Sequence, residues 1–339
     1  MTNGDRGNAV AVFNRAPDGT LTAAGTCPTG GLGTGGAEIP VDPLGSQGAL
    51  ILSKDGRFLF AVNAGSDEVS VLAVEGEGLT LVDKVPSGGV RPVGLTVHGH
   101  LLYVLNSTDG TITGFTVDAQ GKLSALAGST QPLIGGSGAV PGQVAFAPDG
   151  NLLVVTEKAT DVIDVFVVDE HGCTGPPVRN NSNGATPFGF TFAGEDLLIV
   201  SEASGATSSY RVAPKGTLQV VSGSVSTTQI ASCWVTTNSN ADPRYAYVTN
   251  TGSGSISGYR IEDDGTLCLS DEDGRTGVTG DPSFPIDITA SGDGRFLHVL
   301  TGRPDDFTVV GFRIEPDGSL TSISGAGELP LGTQGIAAS

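Results

Sequence analysis

The chain is poor in the residues that most often carry chemistry or bind charged surfaces. Its 339 residues include four His, four Cys, one Met and one Trp, and only 17 Lys and Arg stand against 36 Asp and Glu. A net charge of −19 argues against nucleic acid, whose phosphates need a basic footprint, and against anionic lipid surfaces. No apolar run reaches the roughly 18 residues that a membrane-spanning helix requires, so no membrane insertion is expected. Cys27, Cys173, Cys233 and Cys268 show no CxxC spacing and no companion histidines, which excludes a zinc site by pattern and leaves disulfide pairing open.

Familiar catalytic signatures are also missing. No GxSxG, HExxH or phosphate-binding loop occurs. Gly31–Gly36 reads GLGTGG, but no helical pattern follows it, so the dinucleotide reading fails in context. The acidic run Asp271–Asp273 lacks the spacing of a calcium loop. His98 and His100 flank a glycine in a turn expected on the surface.

What the chain has in abundance is glycine, 52 residues of it, together with 19 prolines, arranged as punctuation between short β-rich runs. Six runs end in a polar residue: FLFAVN, LLYVLN, LLVVTE, LLIVSE, YAYVTN and FLHVLT, closing at Asn63, Asn106, Glu157, Glu202, Asn250 and Thr301. Those ends lie 43, 51, 45, 48 and 51 residues apart. Each run is followed by a second β-rich run, then by a glycine turn and a third, as in DAQGKLSAL and EPDGSLTSI. Each is preceded by a further strand such as PVGLTVH, PGQVAFA or PFGFTFA.

Four strands in a period of about 48 residues describe a propeller blade. The expected fold is all-β: a single-domain seven-bladed β-propeller of four-stranded antiparallel blades. One blade is expected to be shared by residues of about 1–27 and 331–339, closing the ring, with six contiguous blades between. MTN at Met1–Asn3 matches only the end of a second strand, which raises the expectation that the gene product continues upstream. Location is open: secreted or periplasmic if an upstream signal has been removed, cytoplasmic otherwise. A monomer is expected.

In a propeller the first strands line a central channel and ligands bind at one mouth. The residues expected there leave the second strands (Asn63, Asn106, Glu157 with Lys158, Glu202, Asn250) or enter the first (Gln47, Arg91, Gln143, Phe188, Trp234, Asp287, Gln334). Two carboxylates in neighbouring blades suit acid–base chemistry if their surroundings split their proton affinities. With the Asn amides they equally suit a divalent cation, the one cofactor considered. Arg91 suits a carboxylate or phosphate, because its guanidinium forks onto two oxygens. Against these stand simpler readings: strand-end residues that cap turns, a rim ion pair for Arg91, core packing for Trp234.

Five segments carry a resemblance: SKDGRFLFAVNAGSDEVSVLAV (Ser53–Val74), SGGVRPVGLTVHG (Ser87–Gly99), VTEKAT (Val155–Thr160), GATPFGFTF (Gly184–Phe192) and SGDGRFLHVL (Ser291–Leu300). Through them the chain resembles the lactonase-type seven-bladed propellers, a group that includes propeller 6-phosphogluconolactonase and the fungal 3-carboxy-cis,cis-muconate lactonizing enzyme. The resemblance implies opening or closing of a small cyclic ester at the channel mouth, with Glu157 or Glu202 as general base and Arg91 and Lys158 holding an anion. Family members use His, Arg and Glu in the channel, and no His falls at a matching position here. A non-catalytic ligand-binding propeller and a metal-assisted enzyme remain the alternatives.

Overall fold

The computed structural model describes residues 1–36, 41–76, 78–238 and 244–339. The chain opens with a hairpin of β1 (Ala9–Arg15) and β2 (Leu21–Pro28), which pair only with each other. Six antiparallel sheets follow in order. The first holds β3 (Leu50–Leu52), β4 (Phe58–Asn63), β5 (Glu68–Glu75) and β6 (Gly78–Pro86). The second holds β7 (Pro92–His98), β8 (Leu101–Asn106), β9 (Thr111–Val117) and β10 (Leu123–Ala125), with β11 (Gln131–Pro132) also on β9. The third is β12 (Pro141–Phe146), β13 (Leu152–Glu157), β14 (Val162–Val167) and β15 (Val178–Asn181).

The fourth sheet is β16 (Pro187–Phe192), β17 (Leu197–Glu202), β18 (Ala206–Val212) and β19 (Leu218–Ser226). The fifth is β20 (Ser232–Thr237), β21 (Arg244–Asn250), β22 (Ser255–Ile261) and β23 (Leu267–Leu269), with β24 (Gly277–Val278) also on β22. The sixth is β25 (Phe284–Ala290), β26 (Phe296–Gly302), β27 (Phe307–Ile314) and β28 (Leu320–Leu329). Helix among the described residues is confined to one short 3₁₀ turn at Gly136–Gly138.

The propeller is therefore six-bladed, which corrects the expectation of seven. The ends of the chain do not build a shared four-stranded blade. The last strand stops at Leu329, and residues 330–339 join no ladder, while residues 1–28 give a two-stranded hairpin. The physical reason is a shortage of strand. Only Met1–Asn3 occupies a second-strand position, with Thr2 N donating to Ala9 O (2.7 Å) and Gln334 N to Met1 O (2.9 Å).

Burial follows position in each blade. Second strands are sandwiched between neighbouring sheets, so β4, β13 and β17 are buried at all six residues and read as continuous rather than alternating apolar runs. Outer strands such as β6 and β19 are half solvated. Blades lock to one another through side chains reaching the next hairpin: Tyr103 donates to Gly172 O (2.7 Å) and Tyr247 to Gly318 O (3.0 Å). Gly318 sits at φ +83°, where a Cβ would stand 2.3 Å from the Tyr245 ring. Only glycine satisfies both demands.

First strands of successive sheets pack side by side around the axis. Five of them, β7, β12, β16, β20 and β25, carry a register shift near their start. Four are entered through a non-glycine residue in the left-handed region: Arg91 (φ 59°), Val140 (47°), Thr186 (58°) and Ala231 (59°). These bulges re-aim side chains at one end of the channel, and the candidate site lies there.

Candidate functional site

The segment Val41–Gly48, leading into β3, crosses the bulged end of the channel and is tied to the blades around it. Arg91 donates from Nη2 to Pro43 O (2.7 Å), and Ser46 Oγ to Val93 O (2.7 Å), in the second sheet. Gln47 N donates to Gly142 O (2.9 Å) in the third. Lys158, just beyond β13, donates from Nζ to Gly45 O and lies 4.6 Å from the ring centre of Phe188 in the fourth sheet. From the fifth, Trp234 Nε1 donates to Ser46 O (2.9 Å), and the Val235 backbone pairs with the Gln47 amide in both directions (2.8 and 3.1 Å). Gln47 passes so close over Gly189 that a Cβ there would stand 2.1 Å from its Oε1.

The bulge in β20 presents Cys233 and Trp234 together, both buried. Trp234 stacks on Phe188 with ring centres 4.7 Å apart and planes at 57°. Around this aromatic floor stand two cations, Arg91 and Lys158, and two carboxyls, Asp42 and Asp287. Burial raises the Asp42 carboxyl to about 6, although the Lys158 ammonium and the Gly45 amide hydrogen bond (2.9 Å) favour its anion. Burial raises Asp287 further, to about 8, against the Ile288 and Ile336 amides (2.9 and 3.2 Å), and the charge of Asp42 adds to the rise. Lys158 is lowered by burial, with Asp42 opposing the change. The Cys233 thiol is pushed up to about 12, chiefly by burial, so it is no thiolate nucleophile.

Below the crossing segment the channel encloses a cavity of about 390 Å³, with Gln47, Gln143 and Asp287 among its polar lining and Phe190, Val235 and Ile336 among its apolar wall. Gln143 is itself engaged, accepting from Phe190 N (2.7 Å). The structure thus brings together Arg91, Lys158, Gln47, Gln143, Phe188, Trp234 and Asp287. Gln334 joins them through its Nε2, which donates to Val41 O (3.5 Å).

It does not bring Glu157, Glu202, Asn63, Asn106 or Asn250 to the same place. All five are fully buried and turn back into their own blades. Glu157 accepts from Gly135 N (2.9 Å) and Thr160 Oγ1. Glu202 accepts from Gly184 N (3.0 Å), Ser208 Oγ and Ser224 Oγ. Asn63 bridges Thr29, Ser70 and Asn8; Asn250 bridges Ser232, Ser255 and Ser257. Asn106 donates to Thr113 Oγ1 (3.4 Å) and lies under Gly89. Glu157, Glu202, Asn63 and Asn106 hold the loop that arrives from the preceding sheet, and Asn250 ties strands of its own sheet, so the expected convergence of Glu157, Glu202 and Arg91 does not occur. Among the described residues no three His, Cys, Asp or Glu side chains cluster as metal ligands.

Two groups escaped the sequence reading. Asp42 lies in a linker outside the repeat, where no periodic position marks it. Asp164, on β14, is pushed up to about 8 by burial and by neighbouring Glu157, with which it shares the task of holding the Ile134–Gly135 amides. The cysteines are all free thiols.

Comparison with known proteins agrees with the propeller fold, though not with the blade count. Residues 5–135 match the family model described as "Lactonase, 7-bladed beta-propeller", so the resemblance read from the sequence is shown. A 6-phosphogluconolactonase of Erwinia tasmaniensis is 22% identical over 282 residues, covering 79% of this chain and 80% of its own. The periplasmic gluconolactonase of Pseudomonas aeruginosa superposes with a TM-score of 0.67 at 17% identity, over 96% of this chain and 97% of its own. A Lactobacillus plantarum protein reaches 0.73 at 18% identity, over 95% and 96%. At these identities the structural likeness is one of fold.

Proposed function

We propose that this chain, similar as it is to lactonase-type propellers, hydrolyses a small acidic lactone at the crossed end of its channel. The observation that carries the reading is a pair of carboxyls whose surroundings split their proton affinities, Asp42 at about 6 and Asp287 at about 8. At pH 7 the first is mostly a carboxylate and the second mostly a carboxylic acid, the division of labour that acid–base catalysis requires.

Asp42 takes a proton from water as the water oxygen bonds to the lactone carbonyl carbon. The oxyanion that forms faces the Lys158 ammonium, which stabilises developing charge in a partly water-excluded site. Collapse breaks the ring C–O bond, and Asp287 gives its proton to the departing alkoxide. The proton on Asp42 then returns to Asp287 through solvent, leaving a hydroxy acid. Arg91, whose guanidinium is committed to one carbonyl only, has donors left for a substrate carboxylate or phosphate. The Phe188–Trp234 floor supports the apolar face of the ring.

Turnover of a panel of γ- and δ-lactones, with and without an anionic substituent, followed by proton release, tests this. Asp42→Asn is expected to lower kcat by on the order of 10²–10⁴, and unchanged turnover would remove Asp42 from the chemistry.

A further inference from the structure

In the first, second, fourth and fifth sheets the polar residue ending the second strand meets a hydroxyl on the third. Ser70, Thr113, Ser208 and Ser257 stand opposite Ala61, Val104, Val200 and Val248, two places before each strand end. They pair with Asn63 (2.7 Å), Asn106 (3.4 Å), Glu202 and Asn250 (2.9 Å). A hydroxyl suits either partner, because it accepts from an amide and donates to a carboxylate. In the third sheet the same place, opposite Val155, is held by Asp164. There an acid faces an acid, and ionised carboxylates have no hydrogen to share.

Both carboxyls are fully buried and both hold the same loop. Asp164 Oδ2 accepts from Ile134 N (3.0 Å), Glu157 Oε1 from Gly135 N (2.9 Å), and Glu157 Oε2 from Thr160 Oγ1. Asp164 Oδ1 is left buried without a partner, with the Glu157 carboxyl in hydrogen-bonding reach of its side chain. Burial pushes Asp164 up to about 8; Glu157 adds to the rise, while Arg179, across from it on β15, opposes it. The other charged groups nearby are engaged elsewhere. Asp109 accepts from Val90 N (2.8 Å), Asp161 from Thr186 N (2.7 Å), and Lys158 Nζ donates to Gly45 O. On β8 the Tyr103 hydroxyl donates to Gly172 O, and residues 133–140, β9, β11 and β12 carry no titratable side chain.

The loop is built to respond to what holds it. It reads Leu-Ile-Gly-Gly-Ser-Gly-Ala-Val from Leu133 to Val140, and its 3₁₀ turn at Gly136–Gly138 buries no residue. Such glycine-rich backbone regains the most freedom when untied. A Cβ on Gly135 would stand 2.6 Å from Glu157 Oε2, so the loop lies directly on the carboxyl. At its far end Val140 sits at φ 47°, an uncommon conformation for a β-branched residue. The carbonyls of Val140 and Ala139 accept from Lys158 N and Ala159 N (both 3.2 Å). The loop therefore braces the backbone of Lys158.

We propose that Glu157 and Asp164 share one proton and with it latch the 133–140 loop shut, so that losing the proton in alkaline solution releases the loop and the backbone of Lys158. Two adjacent buried anions repel each other, and each would then be held only by the donors it shares with the loop. The latch touches the site proposed above through Lys158 alone, and its test needs no turnover, so either reading can fail without the other.

The test is amide hydrogen exchange on the full chain from about pH 6 to 10, corrected for the intrinsic base-catalysed rate. Protection of Ile134, Gly135, Lys158 and Ala159 should fall about tenfold for each unit above one common midpoint, as release of a single proton requires. Gly184, held by Glu202 with no second acid beside it, should keep its protection. Asp164→Asn supplies an N–H donor that does not titrate and should hold the four amides level throughout; Glu157→Gln should do the same and serves if the first variant does not fold. Constant protection in the native chain, a parallel loss at Gly184, or a transition that survives in either variant would overturn the proposal.

Discussion

Asp42, in the linker ahead of β3, and Glu202, at the end of β17, are both carboxyls, yet they differ in what their oxygens have left to do. Glu202 is saturated by one amide and two hydroxyls, whereas Asp42 has one amide donor and a lysine nearby. Glu202→Ala should therefore destabilise the fold by roughly 1–3 kcal/mol, the cost of orphaned buried donors, read as a lower urea midpoint. For Asp42 the readout is pH. A base raised to about 6 is lost on protonation, so kcat/KM should fall about tenfold per unit below pH 6, hold between about 6 and 8, and fall again above about 8 as Asp287 loses the proton it must donate. Arg91→Ala should raise KM for anionic lactones while leaving neutral ones unaffected; equal losses on both would remove Arg91 from anion binding. A polar residue at every blade's strand end was plain in the sequence. Its meaning was not, because a position that repeats in most blades serves what every blade needs, a grip on the incoming loop. Asp287 was marked by its repeat position at the start of a first strand, whereas Asp42 stands in a linker outside the repeat, where no periodic position marks it.

At the scale of elements, the repeat located every second strand, because a strand sandwiched between two sheets must be apolar at each position and is visible as a run. The β-bulges left no signal: they are a matter of how many residues oppose how many, and Pro-Phe-Gly or Ser-Cys-Trp reads equally well as plain strand. They nonetheless decide which side chains turn to the channel. The hairpin glycines were legible and carry a prediction. Gly318→Ala combines a left-handed φ with contact against Tyr245, and should lower Tm by several degrees in a thermal melt, whereas Gly76→Ala, with open space around it, should cost less. Counting blades from the repeat failed at the termini, where a hairpin and an unpaired tail stood in for strands.

For the whole molecule, a net charge of −19 is a self-repulsion that rises as carboxyls ionise. Asp287 adds a local contribution of defined sign. Its folded carboxyl is held near 8 while the unfolded one ionises near 4, so its contribution favours the fold at low pH and is lost progressively as pH rises between those values. Tm of the native chain should thus fall from pH 5 to pH 8, and Asp287→Asn should flatten that slope; a parallel slope in both would show that Asp287 stays ionised in the fold.

Gln47 reaches from the first sheet to the fifth, so the assembly is braced along a chord. A hoop derives its stiffness from an unbroken circumference, but a frame with a tie-rod tolerates a gap in its rim. The two-stranded sector at β1–β2 then does not by itself let the opposite walls spread, and severing one amide at the centre should loosen all six sheets more than trimming a strand at the edge.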